Sequence, residues 1–305
     1  MKILVATTKP FAPAAVKGIK EVIEAAGHEM VLVEKGTKED MKKAVADCAG
    51  LIVRSDIVDK EVMDAAPELK VVVRAGAGYD NIDLAEATKH GICVMNTPGQ
   101  NSNAVAELVL GMMVTLVRNR YNGKSGSELK GKTLGIHAYG AVGRNVARIA
   151  KGFEMKVSAL DPWVKDEVMI ADGITPVHSV EELYENNQYV SLHIPATNET
   201  RKSVNKALIE LLPKNGVLIN AARKEVIDEE GLAAALADRD DIRYIADIKP
   251  DNGDELTEKY GDRVFFTPKK MGAQTAEANI NAGLAAANQV VAHLKDGWNR
   301  FQVNK

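Results

Sequence analysis

Residues 133–163 read TLGIHAYGAVGRNVARIAKGFEMKVSALDPW. This stretch opens with a short apolar run and then turns at residues 138–143, which include two glycines. Apolar residues next recur at helical spacing, and a second apolar run ends at Asp161. The order predicts a strand, a tight turn, a helix and a second strand, which together make a βαβ unit.

The turn in this stretch is typical of dinucleotide binding. Glycines there allow backbone N–H groups at the start of the helix to reach a pyrophosphate. Gly140 and Gly143 fit the second and third glycines of that motif, and Ala138 stands in the place of the first. Asp161 follows at about the ~20-residue distance at which an acid binds ribose hydroxyls. A glycine turn alone is weak evidence, but the preceding strand and the following acid together predict a dinucleotide site.

The composition indicates a globular protein with more than one domain. The chain has 305 residues, of which 46% are hydrophobic and 27% are charged, so two domains can each bury a core. The net charge of −3 argues against a nucleic-acid partner, because phosphate contacts need a basic excess.

Cysteines and the N-terminus bear on metal binding and location. Cys48 and Cys93 are the only two cysteines, and they lack metal-ligand spacing, so we expect buried thiols in a reducing compartment and no metal. The N-terminal apolar run, about five residues long, is too short for a signal peptide or a membrane span. We therefore expect a cytoplasmic protein without a membrane partner.

The chain before the glycine turn alternates short apolar runs with amphipathic segments. This pattern predicts a parallel sheet covered by helices on both faces. The predicted strands are 2–6, 28–33, 51–53, 71–73 and 92–95, and the predicted helices include 14–26 and 38–46.

Two of these strands end in an arginine, Arg54 and Arg74. The carboxyl ends of parallel strands are where open α/β sheets bind ligands, so both arginines are candidates for binding an anion. The alternative is that they are solvated residues at strand ends.

The rest of the chain contains one helix with few charges and a second α/β alternation. Residues 96–99, NTPG, predict a crossing between domains, and residues 101–118 a helix that is internal or part of a subunit interface. Residues 119–131 predict an exposed loop. After Asp161, strands are predicted at 189–194, 216–220, 244–248 and 264–267, followed by a helix at 273–294.

Several blocks of residues, in order along the whole chain, match those of a known family. They are RAGAGYDNID at 74–83, NTPGQNSNAVAELVLGMM at 96–113, the glycine turn, SLHIPAT at 191–197, NAARKEVIDEEGL at 220–232 and TPKKMGAQTAEANINAG at 267–283. The chain resembles the D-2-hydroxyacid dehydrogenases. Within that family it is most similar to short phosphoglycerate dehydrogenases without a C-terminal regulatory domain. Because the sequence ends at FQVNK, we expect no such domain.

The resemblance implies an α/β fold with two Rossmann-like, doubly wound parallel-sheet domains. Residues 1–97 and 279–305 would form a discontinuous substrate domain, and residues 98–278 a dinucleotide-binding domain, with the active site in the cleft. The implied reaction is NAD-dependent oxidation of a phosphorylated hydroxy acid, 3-phospho-D-glycerate, in serine biosynthesis. A homodimer formed through the nucleotide domain is also implied. Asp161 favours NAD over NADP, because a carboxylate repels a 2′-phosphate.

The resemblance also assigns site residues. Arg223 would pair with the substrate carboxylate in a bidentate manner. The substrate domain would contribute Arg54, Ser55, Arg74, Ala75 and Gly76. Contacts to NAD would come from Val105, Tyr139, Gly140, Ala141, Val142, Asp161, His193, Ile194, Pro195, Ala221, Ala222, Asp247, Gly272 and Ala273.

The acid/base position departs from the family pattern. Most members have a histidine after the Thr-Pro of the last strand, paired with a glutamate, but here Thr-Pro is followed by Lys269 and Lys270. The stretch after Asp247 has no glutamate in the expected place. If the segment is aligned from Pro268, Lys269 occupies the position of the family's histidine. If it is aligned backwards from Gly272, Lys270 occupies that position. We favour Lys270, because the glycine turn that abuts the nicotinamide in the family should set the register.

A lysine in this role has a consequence for pH. With an ordinary pKa near ~10.4, a lysine readily donates a proton to a keto acid and is a poor base for an alcohol. We therefore expect a more alkaline optimum for oxidation than a histidine enzyme shows. Two alternatives remain open: a glyoxylate or hydroxypyruvate reductase, and an NAD-sensing scaffold without turnover.

Overall fold

The structure is a computed structural model that describes all residues from 1 to 305. The chain forms two compact units. We call Met1–Asn101 with Gln274–Lys305 the terminal unit, and Ser102–Ala273 the central unit. The boundaries that we expected, after residues 97 and 278, fall within five residues of these.

The first part of the terminal unit forms a five-stranded parallel sheet. Its strands follow the spatial order β2-β1-β3-β4-β5, so their carboxyl ends lie at one edge. The strands are β1 (Lys2–Thr7), β2 (Glu29–Glu34), β3 (Cys48–Val53), β4 (Val71–Arg74) and β5 (Cys93–Asn96). The helices are α1 (Pro13–Ala25), α2 (Lys38–Val45), α3 (Lys60–Asp64) and α4 (Leu84–Lys89).

The central unit forms a seven-stranded parallel sheet in the order β12-β11-β10-β9-β6-β7-β8. Its strands are β6 (Thr133–His137), β7 (Lys156–Leu160), β8 (Thr175–Pro176), β9 (Tyr189–Leu192), β10 (Val217–Asn220), β11 (Arg243–Ala246) and β12 (Val264–Phe266). Its helices are α5 (Ser102–Val117), α6 (Ala141–Gly152), α7 (Asp166–Ala171), α8 (Val180–Glu185), α9 (Lys206–Glu210), α10 (Glu229–Asp238) and α11 (Gly253–Tyr260).

Two apolar clusters cover the two faces of the central sheet. Leu134 and Ile136 of β6 pack into a cluster that also contains residues of α5 and α6. Leu192 of β9 and Leu218 of β10 pack into a second cluster with residues of α8 to α11. Because strand side chains alternate between faces, β9, β10 and β11 each contribute to both clusters. Helices therefore cover both faces of the sheet, which is doubly wound. The predicted α/β fold class is confirmed.

The apolar helix at 101–118, which we interpreted as internal or interfacial, is largely internal. Its residues Val109, Leu110 and Met113 are buried inside the central unit. Its exposed residues include Asn103, Glu107 and Gly111. Burial in the core of the central unit therefore explains why α5 has so few charged residues.

The last helix, α12 (Ala276–Asp296), completes the terminal unit. Thr275 caps it by accepting a hydrogen bond from the N–H of Ala278, so the helix begins three residues later than predicted. Small residues permit close packing: a Cβ at Gly283 would lie 2.8 Å from Cδ1 of Ile19 in α1. The two ends of the chain therefore share one core.

A second difference concerns the strand predicted at 244–248. β11 ends at Ala246, and Asp247 is the first residue after it. The Asp247 side chain therefore belongs to the carboxyl edge of the sheet.

No helix in the structure combines the length and the apolar character needed to cross a membrane.

Candidate active site

The glycine turn lies at the carboxyl edge of the central sheet, between β6 and α6. Gly140 occupies the N-cap position of α6, no side chain caps the helix, and its first turn contains no acidic residue. The first N–H groups of a helix have no partner within it and carry a partial positive charge. The start of α6 therefore suits an anion such as a pyrophosphate.

The two glycines of the turn have different structural roles. A Cβ at Gly140 would meet no atom within 4 Å, so open space lies beside it. A Cβ at Gly143 would lie only 2.3 Å from the carbonyl oxygen of Ala138. Gly140 therefore leaves room for a ligand, and Gly143 lets the helix pack against the turn. Both features fit a bound dinucleotide.

Ala138 adopts a left-handed backbone conformation, with φ of 85°. Glycine adopts this conformation without steric cost, whereas a side chain makes it strained. The first glycine position of the motif therefore keeps a glycine-like backbone although its residue is alanine.

Asp161 lies beside the same turn, at the end of β7. Its Oδ2 accepts a hydrogen bond from the Tyr139 N–H at 2.8 Å, and its Oδ1 accepts one from the Trp163 N–H at 2.9 Å. A carboxylate offers about four lone-pair sites, so both oxygens can still accept hydrogen bonds from ribose hydroxyls. The side chain of Tyr139 is buried, and its hydroxyl donates to Asp172.

The end of β9 holds a histidine that is neutral. Burial lowers the pKa of His193 to about 3 and that of nearby His137 to about 4. Nε2 of His193 lies 3.0 Å from Oγ of Ser191. At neutral pH His193 therefore carries no positive charge and does not serve as a general acid. Of the two residues that follow, Ile194 is buried and Pro195 is exposed.

Two cationic side chains meet at the end of β10. Nη1 of Arg223 donates to the carbonyl oxygen of Ala222 at 3.0 Å, and Nζ of Lys270 donates to the same oxygen at 3.1 Å. Both side chains belong to exposed residues. A bidentate carboxylate-binding group and a proton-carrying group thus lie side by side at the sheet edge.

The sequence did not point to Asn220, which holds this segment. Its Oδ1 accepts from the N–H of Ala222 at 3.0 Å, and its Nδ2 donates to the carbonyl oxygen of Arg223 at 2.9 Å. Asn220 is fully buried. A polar residue at the end of a buried strand is the signal that could have identified it.

Asp247 lies at the end of the neighbouring strand and is 1% exposed. Its carboxylate accepts hydrogen bonds from the N–H groups of Met271 and Gly272, both at 2.7 Å, and from the hydroxyl of Thr267 at 3.1 Å. Lys269, in the same turn, is exposed and makes no hydrogen bond or ion pair. Of the two lysines, the structure therefore brings only Lys270 to Arg223.

The remaining residues assigned to the cofactor lie on the same unit. Val105 of α5 packs near Gly272, where a Cβ would lie 3.0 Å from its Cγ2. For all residues assigned to the cofactor, contact with NAD stays a prediction. The other members of the set, by burial, are the exposed Ala141, the partly buried Val142, Ala222 and Ala273, and the buried Ala221.

Arg54 lies at the end of β3 in the terminal unit. Its Nη1 donates to the carbonyl oxygens of Lys9 and Pro10 at 3.0 and 2.9 Å, and its Nη2 donates to Oδ1 of Asn279 at 2.5 Å. The guanidinium also lies 5.2 Å from the ring centre of Phe11. These bonds occupy three of the five guanidinium donors, so Arg54 is held in place with donors left for an anion.

Arg74 lies at the end of the adjacent strand, β4. Its Nε donates to the carbonyl oxygen of Arg54 at 2.8 Å. The backbone of Gly76 has φ of 151°, and a Cβ there would lie 1.4 Å from Nη1 of Arg74. Only glycine therefore permits this position of the guanidinium. Ser55 is exposed and Ala75 is buried at the same edge.

Comparisons with known proteins agree with this geometry. Residues 106–268 match the family described as D-isomer specific 2-hydroxyacid dehydrogenase, NAD binding domain. The D-3-phosphoglycerate dehydrogenase of Methanocaldococcus jannaschii is 36% identical, over 97% of this chain and 58% of that protein. The hydroxypyruvate reductase of Thermotoga maritima is 34% identical, over 84% of this chain and 88% of that protein.

Among solved structures, the chain is similar to NAD⁺-bound 3-phosphoglycerate dehydrogenase of Entamoeba histolytica. The two are 48% identical, the alignment covers 100% of this chain and 99% of that one, and the TM-score is 0.87. The chain spans a little over half the length of the first curated phosphoglycerate dehydrogenases that it matches.

Proposed function

The chain belongs to the D-isomer specific 2-hydroxyacid dehydrogenase family, and from that premise we propose that it oxidises 3-phospho-D-glycerate to 3-phosphohydroxypyruvate with NAD. This is the reaction that opens serine biosynthesis. The names of the M. jannaschii and E. histolytica relatives support this choice.

One observation carries the proposal. Arg223 and Lys270 donate hydrogen bonds to the same carbonyl oxygen, that of Ala222. Oxidation of a 2-hydroxy acid needs a cation that holds the carboxylate and a group that removes the hydroxyl proton. Arg223 suits the first task, because its planar guanidinium pairs with both carboxylate oxygens. Lys270 suits the second, because it lies beside Arg223.

The cofactor site is assigned to the central unit. The start of α6 with Gly140 would hold the pyrophosphate, and Asp161 would hold the ribose hydroxyls. Bound NAD supplies the acceptor for the hydride that leaves C2 of the substrate. The carboxylate of Asp161 disfavours the additional phosphate of NADP.

The chain's own residues would then handle the proton. In oxidation, the neutral amine of Lys270 takes the proton of the C2 hydroxyl as the C2–H bond breaks, and a carbonyl forms. In reduction, the ammonium returns that proton to the oxygen. Arg223 keeps the carboxylate oriented in both directions and polarises the neighbouring carbonyl. Oxidation therefore needs the neutral amine of Lys270, so we expect the rate of oxidation to be higher at alkaline pH.

An assay of NADH oxidation tests the proposal. The substrates are phosphohydroxypyruvate, hydroxypyruvate and glyoxylate at matched concentrations, and we expect the highest kcat/KM with phosphohydroxypyruvate. Absence of turnover with all three, despite NAD binding, would favour the alternative of an NAD-sensing scaffold. A preference for hydroxypyruvate would favour a reductase, the activity in the name of the T. maritima relative.

Two alanine variants test the acid/base assignment in the same assay. General acid–base catalysis contributes about 10²–10⁴-fold, so Lys270→Ala should lower kcat by about that factor. Lys269→Ala is the matched control, because it removes the same charge one residue away. Near-normal turnover of Lys270→Ala would contradict the assignment, and a large loss only in Lys269→Ala would transfer the role to that residue.

Two further expectations remain part of the proposal. We expect a homodimer formed through the central unit, which sedimentation would detect. A reducing, cytoplasmic location accords with the two cysteines, both of which are buried and unpaired.

A further inference from the structure

The turn that carries the two lysines, residues 267–272, begins and ends on a single carboxylate. At its start, the hydroxyl of Thr267 donates to Oδ1 of Asp247 at 3.1 Å. At its end, the N–H of Met271 donates to Oδ1 and the N–H of Gly272 donates to Oδ2, each at 2.7 Å. The three residues between these anchors are Pro268, Lys269 and Lys270.

The carboxylate that accepts these bonds is protected from water. Asp247 is 1% exposed and Thr267 is 4% exposed. Hydrogen bonds to a buried carboxylate are stronger than bonds between neutral groups. The loss of one of them would leave a buried N–H or a buried charge without a partner. The carboxylate therefore restrains both ends of the turn.

Close packing also restrains the end of the turn. A Cβ at Gly272 would lie 2.8 Å from Oδ2 of Asp247 and 3.0 Å from Cγ2 of Val105. Gly272 is buried, and a larger residue would not fit between Asp247 and α5. This close fit adds to the hydrogen bonds that hold the end of the turn.

The register of the turn decides which lysine points to the end of β10. Two adjacent lysines are chemically equivalent, so only their positions in the turn distinguish them. In the structure, Lys270 reaches the carbonyl oxygen of Ala222, beside Arg223, and Lys269 is exposed without a partner. A slip of one residue in the turn would exchange them.

We propose that Asp247 is a positioning residue: it holds the turn 267–272 so that Lys270, and not Lys269, lies beside Arg223. The inference rests on the proposed function, because positioning matters only if Lys270 transfers the proton. It gives a role to Asp247 that differs from cofactor contact. That contact, which the family resemblance suggested, is the rival explanation.

The test compares Asp247→Asn and Thr267→Val with the wild type. Asparagine keeps the size of the side chain but places an NH₂ group against a backbone N–H. Valine matches the shape of threonine and removes only the hydroxyl, so its effect should be smaller and in the same direction. The measurements are kcat, KM, the Kd of NAD by calorimetry, and amide hydrogen exchange of the segment 268–273.

We expect faster exchange at Met271 and Gly272 in Asp247→Asn, with the Kd of NAD unchanged. Displacement of a catalytic group by about 1 Å can cost about 10²-fold in rate, so we expect kcat to fall by about that factor. The fall in kcat should be lost when Lys270 is already alanine, because the two changes then disturb the same proton transfer.

Other outcomes would overturn the inference. A rise in the Kd of NAD that accounts for the activity loss would assign Asp247 to the cofactor, and unchanged kcat with faster exchange would leave it a purely structural role. If Asp247→Asn does not fold, the same measurements on Thr267→Val test the inference. If the wild type binds NAD but turns over none of the three substrates, the proposed function is refuted instead, and the hydrogen-exchange result for the turn still stands.

Discussion

At the scale of single residues, identical residue types have different roles because their surroundings differ. Gly140 faces open space and Gly143 faces a backbone carbonyl, although both belong to one motif. Lys270 shares an acceptor with Arg223, whereas Lys269 has no partner. Residue type therefore identifies the candidate site residues, and the position of each side chain in the structure distinguishes their roles.

The two glycines allow a matched pair of substitutions. Gly140→Ala should leave stability within about 1 kcal/mol of the wild type, because φ of −78° suits alanine. It should weaken NAD binding by at least about tenfold, since a methyl group then enters the pyrophosphate space. Gly143→Ala should lower the free energy of unfolding by about 1–3 kcal/mol, because its methyl meets a backbone oxygen at 2.3 Å.

Thermal unfolding and calorimetric NAD titration check this pair of variants. If Gly140→Ala binds NAD as well as the wild type, the pyrophosphate does not lie at the start of α6.

At the scale of elements, a half-buried ion pair joins two segments of the central unit. Nε and Nη2 of Arg239, just after α10, donate to the two carboxylate oxygens of Asp241 at 2.8 Å each. Arg239 also donates to the carbonyl oxygens of Glu210 and Leu212, and Asp241 accepts from the N–H of Asn215. The pair therefore ties the end of α9 to the start of β11.

The stability that this pair contributes should depend on pH. The Arg239 guanidinium holds the pKa of Asp241 well below its ordinary value of 3.8. A lowered pKa in the folded state means that the contribution is complete above pH 3.8 and is lost as the pH falls below it. Asp241→Asn should therefore cost about 1–3 kcal/mol in the free energy of unfolding at pH 7, and the difference from the wild type should shrink near pH 2.

Urea unfolding at both pH values measures this effect. Asp254→Asn is the control, because the Lys249–Asp254 pair has the same charges with Asp254 92% exposed, and exposed pairs contribute little. An equal cost in both variants would show that the lower exposure of the Arg239–Asp241 pair adds nothing to its contribution to stability.

At the scale of the whole molecule, charged side chains at the sheet edges belong to both units. The terminal unit carries Arg54 and Arg74, and the central unit carries Arg223 and Lys270. A substrate with a phosphate and a carboxylate needs more than one cation. Each unit carries its own pair of cations that could bind an anionic group.

Arg54→Gln tests the recognition of phosphate. Hydrogen bonds to charged groups contribute about 1.5–3 kcal/mol, so we expect KM for phosphohydroxypyruvate to rise by about 10–100-fold and KM for hydroxypyruvate to change much less. Steady-state kinetics with both substrates measure the difference. Equal effects on both would contradict phosphate binding and indicate that Arg54 only holds Lys9, Pro10 and Asn279.

Much of the fold could be predicted from the sequence because its signals are local. Strand and helix periodicity, and the glycine turn before a helix, depend on neighbouring residues. Element ends were less predictable: Asp247 was placed inside a strand and lies just after it. The interpretation of helix 101–118 stayed open from its composition alone, because burial within a unit and burial against a partner favour the same apolar residues.

The amino-acid sequence by itself determined the α/β fold, the dinucleotide turn, the family and the candidate residues of the site. Only the tertiary structure decided that Lys270 lies beside Arg223, that Asp247 holds the lysine turn, and that Arg54 is anchored to its own unit. The physical reason is sequence separation. Lys270 and Ala222 are 48 residues apart, and they follow strands β12 and β10, which lie on either side of β11 in the parallel sheet.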